Sequence, residues 1–259
     1  MSKIIIGLVF TFLVVGITNA NDILITDDSN ITRNYTLFWN DEFNGTSIDT
    51  TKWAHRGIGA RKLGYTTAEA ITVSDGTLKN TIYRDGNKTC SGMIGTQGKF
   101  ETKFGYFETR AKLPNIKGPQ SAFWLQSPKF GSIIGNPQDS GVEVDIIEYV
   151  KTKIDTAFFT AHWDGYGKYA KKDGIGIKYP SINDGQWHTY GLLWTADKYS
   201  YYLDGKLMHT KTAPVPISQT NEYIILSAEI GLWGGGDNMS SEILPASFEV
   251  DYVRVYKVQ

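Results

Sequence analysis

The chain has 259 residues, with 26 basic and 27 acidic side chains and a net charge of −1. It carries no basic stripe or acidic tail, so nothing marks it for nucleic acid or an anionic membrane surface. Its one cysteine, Cys90, excludes an intramolecular disulfide, and at this length a core large enough to do without one is expected.

The first twenty residues read as a leader rather than as fold. Lys3 precedes an apolar stretch from Ile4 to Ile17, followed by Thr18-Asn19-Ala20. A basic start, a short apolar segment and small residues describe a secretory signal peptide cut near Ala20. A membrane anchor is the rival reading, but the stretch is short for a span and no basic cluster follows it. The chain is therefore expected to be secreted and free of the membrane after cleavage. Residues 21–259 suit one domain, with no repeat or linker, expected to be a monomer. Five sequons (Asn30, Asn34, Asn44, Asn87 and Asn238) suit a glycosylating secretory route. Cys90 is expected to be a buried, idle thiol.

Few windows repeat apolar residues at helical spacing. Aromatic and β-branched runs alternate instead with Gly, Asn and Asp, in keeping with 15 Tyr, 12 Phe, 7 Trp and 27 Gly. In "GYFETRAKL", Phe107, Thr109, Ala111 and Leu113 share one face, while Tyr106, Glu108, Arg110 and Lys112 share the other. "WHTYGLLWT" reads as a strand. "YSYYLDGKLMHT" holds Asp204-Gly205 between two strand-like runs, a hairpin signal. In "SFEVDYVRVYKV", Phe248, Val250 and Tyr252 alternate with Glu249, Asp251 and Val253. Many short strands with frequent turns predict an all-β sandwich or barrel.

The stretch "GVEVDIIEYV" sets Glu143, Asp145 and Glu148 in a run that otherwise reads as a buried strand. Glu143 and Asp145 share a face, with Val142, Val144 and Ile146 opposite. Glu148 breaks that count. One extra residue at Ile146-Ile147, a β-bulge, returns it to the acidic face. Three neighbouring carboxylates repel and raise at least one proton affinity. Glycoside hydrolysis requires a carboxylate pair, one to attack the anomeric carbon and one to protonate the leaving oxygen; a middle acid could hydrogen-bond the nucleophile and help hold the two proton affinities apart. Across the bulge the outer pair stands about 13 Å apart at the Cα atoms, at about 3.3 Å per residue. Side chains leaning inward would bring the carboxyls to about 5–6 Å, near the separation of about 5–5.5 Å that retention needs. The competing readings are a calcium site and a solvated edge strand. Calcium favours loops with carbonyl ligands, and an edge strand has no need of an apolar second face.

The run Glu143-Val144-Asp145-Ile146-Ile147-Glu148 resembles the E-x-D-x-x-E signature of glycoside hydrolase family 16, in its laminarinase-like branch; lichenases lack the extra residue. "LFWNDEFNGTSIDTTKW", "KFGYFETRAKLP", "GPQSAFWL", "WHTYGLLWTADKYSYYLDGK" and "FEVDYVRVY" resemble further family blocks in order, covering about Leu37 to Val258. The resemblance implies a jelly-roll sandwich of two antiparallel sheets with a concave substrate cleft. It also implies endo-hydrolysis of a β-linked polysaccharide with retention, needing no cofactor. Glu143 would be the nucleophile, Asp145 its helper and Glu148 the acid/base. Glu108 and Arg110 match family residues that contact sugar hydroxyls. Trp124, His162, Trp163 and Trp233 are the remaining candidate substrate contacts, the rings by stacking on pyranose faces. Trp53, Trp187 and Trp194 read as core. Many relatives hold a structural calcium through the aspartate of the last strand, here Asp251. The resemblance puts a β-1,3- or mixed-linkage β-1,3-1,4-glucan first as substrate, but laminarinases usually carry Trp-Pro where this chain has Pro119-Gln120, which weakens the case for a plain β-1,3-glucan and keeps mixed-linkage glucans, bacterial exopolysaccharides and galactans open. A transglycosylase on the same site and a non-catalytic glucan-binding module are the competing functions.

Overall fold

The computed structural model describes residues 21–259. The proposed leader, Met1–Ala20, lies outside the described residues. No described helix is long and apolar enough to cross a membrane.

The described strands fall into two sheets. The smaller has seven strands in the order Lys171–Lys178, Thr156–Trp163, Glu143–Val150, Pro119–Gln126, Tyr223–Ile230, Met93–Gly95 and Ala54–His55. The larger has twelve, and its centre is Gly105–Lys112 between His188–Trp194 and Ala246–Val258. Among the described strands, every pairing is antiparallel except that of Gly64–Thr66 with Lys88–Ser91. The only described helical pieces are the short turns Pro137–Ser140 and Lys151–Lys153.

Alternation explains how the sheets stack. Phe107, Leu192, Val250, Val253 and Val255 from the larger sheet share one buried cluster with Phe123, Leu125, Val144, Ile146, Ile147 and Leu226 from the smaller. Each strand sends its odd or even set inward and leaves the other set on an outer face. Trp53 and Trp194 are fully buried, as expected of core rings; Trp187, expected there too, is only half-buried, with Arg110 and Lys112 over its ring. Asp204 and Gly205 both take positive φ, 49° and 72°, which gives the two-residue turn that right-twisted hairpins favour. Cys90 is buried and unpaired.

The last strand departs from simple alternation. Opposite it, Arg110 pairs with Tyr252 and Ala111 with Val250, so Asp251 is an extra residue. This bulge turns Tyr252 away from the face of Phe248 and Val250 and puts Val253 and Val255 inward in its place. Tyr252 donates instead to Glu108 on the outer face, 2.8 Å away.

Candidate active site

The acidic strand, Glu143–Val150, lies third from one edge of the smaller sheet. On one side Phe123 pairs with Ile147 and Trp124 with Asp145; on the other, Thr160 pairs with Asp145 and Phe158 with Glu148. Two residues, Ile146 and Ile147, therefore span a single step of each neighbouring strand. This is the expected bulge, and its two isoleucines fill the core. Glu143, Asp145 and Glu148 are left on the outer face, all largely buried at 7%, 4% and 7% exposure.

The neighbouring strands furnish their partners by the same parity. On Pro119–Gln126, residues 120, 122, 124 and 126 point outward with the acids. Gln126 donates to Glu143 at 2.7 Å, and Gln120 donates to Glu148. Trp124 lies between them in a floor cluster with Met93, Ala122, Tyr223 and Ile225, its Nε1 bonded to Ser227. On Thr156–Trp163, Thr160 donates to Glu148 at 3.1 Å, and His162 Nε2 stands 3.3 Å from Asp145 Oδ2. The loop beyond brings in Tyr166, whose hydroxyl donates to Glu143.

Burial is the first cause of the site's altered proton affinities. It pushes Glu143 up to about 7, against the hydrogen bonds of Tyr166 and Gln126 that favour its anion. Asp145 rises well above the carboxylate range through burial, then through the charges of Glu148 and Glu143, so it is the acid that keeps a proton. Glu148 is also raised by burial, while Thr160, Gln120 and Lys62 oppose the rise. Burial, then Lys172 and Lys62, lowers His162 to about 4, so it is neutral near pH 7.

Beside Gln126 and Tyr166 opens a cavity of ≈ 480 Å³, walled further by Arg56, Phe130, Tyr169 and Tyr223. At the Glu148 end, Trp233 meets Phe158 edge-on at 4.8 Å. Phe158 is the cross-strand neighbour of Glu148. The outer face thus offers acids in the middle and rings toward both ends, as a stretched sugar chain requires.

Three of the expected substrate contacts need correction. Glu108 and Arg110 do share a face, but it is the outer face of the other sheet, across the core from the acids. There Glu108 accepts from Tyr106 and Tyr252, and Arg110 pairs with Asp251 at 2.6 Å. Alternation fixes which residues share a face, not which of the two outer faces they occupy. Trp163 packs against the core. It follows His162 on a regular strand, so the residue that sends His162 into the cleft sends Trp163 away from it. The structure does bring together Glu143, Asp145, Glu148, Trp124 and His162, with Trp233 at the rim.

The residues around Asp251 do not fit a calcium ion. The guanidinium of Arg110 already neutralises that carboxylate and would repel a second cation. Glu143, Asp145 and His162 bring donor atoms within 4.8 Å of one another, but their close partners are proton donors and one another, and we assign no metal there.

Sequence reasoning missed Gln120, Gln126, Tyr166, Phe158 and Thr160. The two glutamines were within reach, since they share the parity of Trp124 on a strand adjacent to the acids. Tyr166 reaches Glu143 from a loop, which no periodicity reports.

Comparison with known proteins decides the family. The family model for the glycoside hydrolase family 16 domain of β-porphyranases A–D matches residues 38–258. The chain belongs to glycoside hydrolase family 16. It is 31% identical over 263 residues to glucan endo-1,3-β-glucosidase A1 of Niallia circulans, covering 86% of this chain and 38% of that protein. It is 30% identical over 258 residues to a β-glucanase of Rhodothermus marinus, covering 90% and 88%. Among solved structures, the laminarinase from Flavobacterium sp. UMI-01 superposes with a TM-score of 0.74 at 29% identity, covering 86% of this chain and all of that one. The jelly-roll sandwich expected of family 16 is the fold of this chain.

Proposed function

We propose that this glycoside hydrolase is an endo-acting, retaining enzyme that cuts a β-linked polysaccharide, with β-1,3- or mixed-linkage β-1,3-1,4-glucan as the first substrate class. The observation that carries the reading is the bulge at Ile146-Ile147, which sets Glu148 on the same face as Glu143 and Asp145. In the first step the Glu143 carboxylate attacks the anomeric carbon while protonated Glu148 gives its proton to the departing glycosidic oxygen. The C–O bond breaks, the leaving chain departs as an alcohol, and a glycosyl ester on Glu143 remains. Glu148, now a carboxylate, takes a proton from water as that water attacks the same carbon, freeing Glu143 and giving a product of retained configuration. Asp145 keeps its proton between the two and limits charge repulsion. Neutral His162 helps orient Asp145. Trp124 forms part of the cleft floor, and Trp233 with Phe158 offers a ring platform at the Glu148 end. The mechanism uses no cofactor.

A second reading, an anionic galactan as substrate, is favoured by the cations of the cleft. Arg56 lines the cavity near Glu143 and has no carboxylate within ion-pair reach among the described residues; its guanidinium is held by Gln97 at 2.5 Å and Tyr223 at 3.0 Å. A sulfate or carboxylate on a sugar would supply the missing anion. The match to a porphyranase-type family model points the same way.

A reducing-end assay on laminarin, mixed-linkage glucan, agarose and porphyran tests both readings. Glu143→Gln is expected to cost at least about 10³-fold in kcat. Equal rates in the wild type and Glu143→Gln would overturn the mechanism. Activity confined to porphyran would select the second reading. We further propose that the protein acts outside the cell as a monomer after removal of residues 1–20. N-terminal sequencing of the exported protein, with a start at Asn21, and its elution volume on a sizing column test both points.

A further inference from the structure

The two outer carboxylates are each held by a glutamine of the same strand, Gln120 for Glu148 and Gln126 for Glu143. An amide can present either its N–H₂ or its carbonyl oxygen, and the two ends have opposite effects on a carboxylate. The N–H₂ end stabilises the anion, whereas the carbonyl end repels it. Something must decide which end faces the acid.

In both cases a donor from a different element occupies the carbonyl end. Lys62 Nζ stands 3.4 Å from Gln120 Oε1, and the Tyr223 hydroxyl donates to Gln126 Oε1 at 2.6 Å. Neither donor is loose. Lys62 sits at the tip of the hairpin joining Gly59–Arg61 to Gly64–Thr66, and Glu229 Oε2 grips its ammonium at 2.5 Å. The next residue, Leu63, ties the tip to Ile230 through a backbone hydrogen bond of 3.1 Å. At Gly64 a Cβ would come within 2.7 Å of Ile230, so the hairpin lies tightly on the floor strand. Tyr223 is capped in turn by Arg56, which also lies over its ring.

We propose that Lys62 and Tyr223 are positioning residues that lock the amides of Gln120 and Gln126 so that each glutamine can only donate to its catalytic glutamate. The proposal rests on the assignment of Glu143 and Glu148 given above. The two locks keep the outer acids ionisable in a pocket whose burial and mutual repulsion drive them toward the neutral form. They separate the outer acids from Asp145, which has no such donor. Other titratable or charged groups facing Glu148 are Glu143 and Asp145 on its own strand and His162 on the next, with Lys172 beyond. Glu229 lies across from Gln120, and Arg61 flanks Lys62. The lysine is the nearest cation that also touches the glutamine.

The test is direct titration of the glutamate carboxyls by ¹³C NMR of the full chain, with Glu143 and Glu148 assigned through Glu143→Gln and Glu148→Gln. It needs no substrate, so it stands or falls separately from the proposed activity. Lys62→Met is expected to raise the titration midpoint of Glu148 by about half a pH unit or more, and that of Glu143 by less. Tyr223→Phe is expected to raise Glu143 and leave Glu148 in place. Lys62→Arg should keep the wild-type midpoints. Gln120→Leu should raise Glu148, and Lys62→Met added to it should shift Glu148 by less than Lys62→Met does alone, because the lock has nothing left to orient. A merely structural lysine would change the melting temperature and leave these midpoints alone. If Met unsettles the hairpin, Lys62→Ala, which also has no donor, is read in its place. An unchanged Glu148 midpoint in either variant, or full additivity with Gln120→Leu, overturns the proposal.

Discussion

Glu143, the nucleophile proposed above, shows how narrowly single side chains set the chemistry. Burial drives its proton affinity up to about 7, and the hydroxyl of Tyr166 is the first group holding it down. A nucleophile must be ionised, so activity is expected to fall as pH drops through that region. Tyr166→Phe removes a donor to the anion, so Glu143 should titrate higher still. The acidic limb of kcat/KM is expected to move toward alkaline pH by about half to one unit, with a matching loss at neutral pH. An acidic limb that stays put in Tyr166→Phe would show that the hydroxyl is not supporting the nucleophile. Tyr166 is also 69% exposed, which suits a group that meets substrate as well as enzyme.

At the scale of elements, two bulges decide which faces carry chemistry. The one at Ile146-Ile147 was legible because charge marked it: an acid on the apolar side of a strand is costly, so the sequence betrays the extra residue. The one at Asp251 was not, because both Tyr252 and Val253 are acceptable core residues and either phase reads well. The acidic bulge also makes a prediction of its own. Deleting Ile146 leaves the acids at Glu-x-Asp-x-Glu spacing, and an unbulged strand puts all three on one face. Such a variant is expected to lose about 2–5 kcal/mol of stability with its buried isoleucine, yet to hydrolyse polysaccharide measurably above the level of Glu143→Gln. Thermal melting and the reducing-end assay check both halves; activity no higher than that of Glu143→Gln would mean that the acids need the bulge for more than parity.

Over the whole molecule, burial of acids should make the fold sensitive to alkali. Glu222 is fully buried and accepts from the Val142 backbone N–H at 3.1 Å just ahead of the acidic strand. Burial raises it from an ordinary 4.5 to about 8. For an acid raised on folding, the native state binds the proton more tightly than the unfolded chain. The stability it contributes is therefore full below about 4.5 and lost as pH rises through about 8. Glu222→Gln keeps an acceptor for Val142 and cannot ionise. Its melting temperature is expected to fall less than that of the wild type between pH 6 and pH 9, the difference being the part of the loss that Glu222 carries, roughly a few kcal/mol. Parallel declines in the two proteins would place the alkaline weakness elsewhere, with the catalytic acids the next candidates because burial raises them too.

The all-β class, the hairpin at Asp204-Gly205, the three acids and the bulge that unites them could be read from the order of residues. All of these follow from period-two alternation and turn chemistry, which act over a few residues. The blocks from Leu37 onward also carried the family. Tertiary structure alone decided which outer face carries the acids, and so set Glu108, Arg110 and Trp163 away from it. It also decided which groups reach the acids from distant chain positions: Gln120 and Gln126 across one sheet pairing, Tyr166 from a loop, Lys62 from a hairpin. Alternation tells a residue which neighbours share its side of a strand. Only the packing of the second sheet tells that side whether it faces core, solvent or substrate.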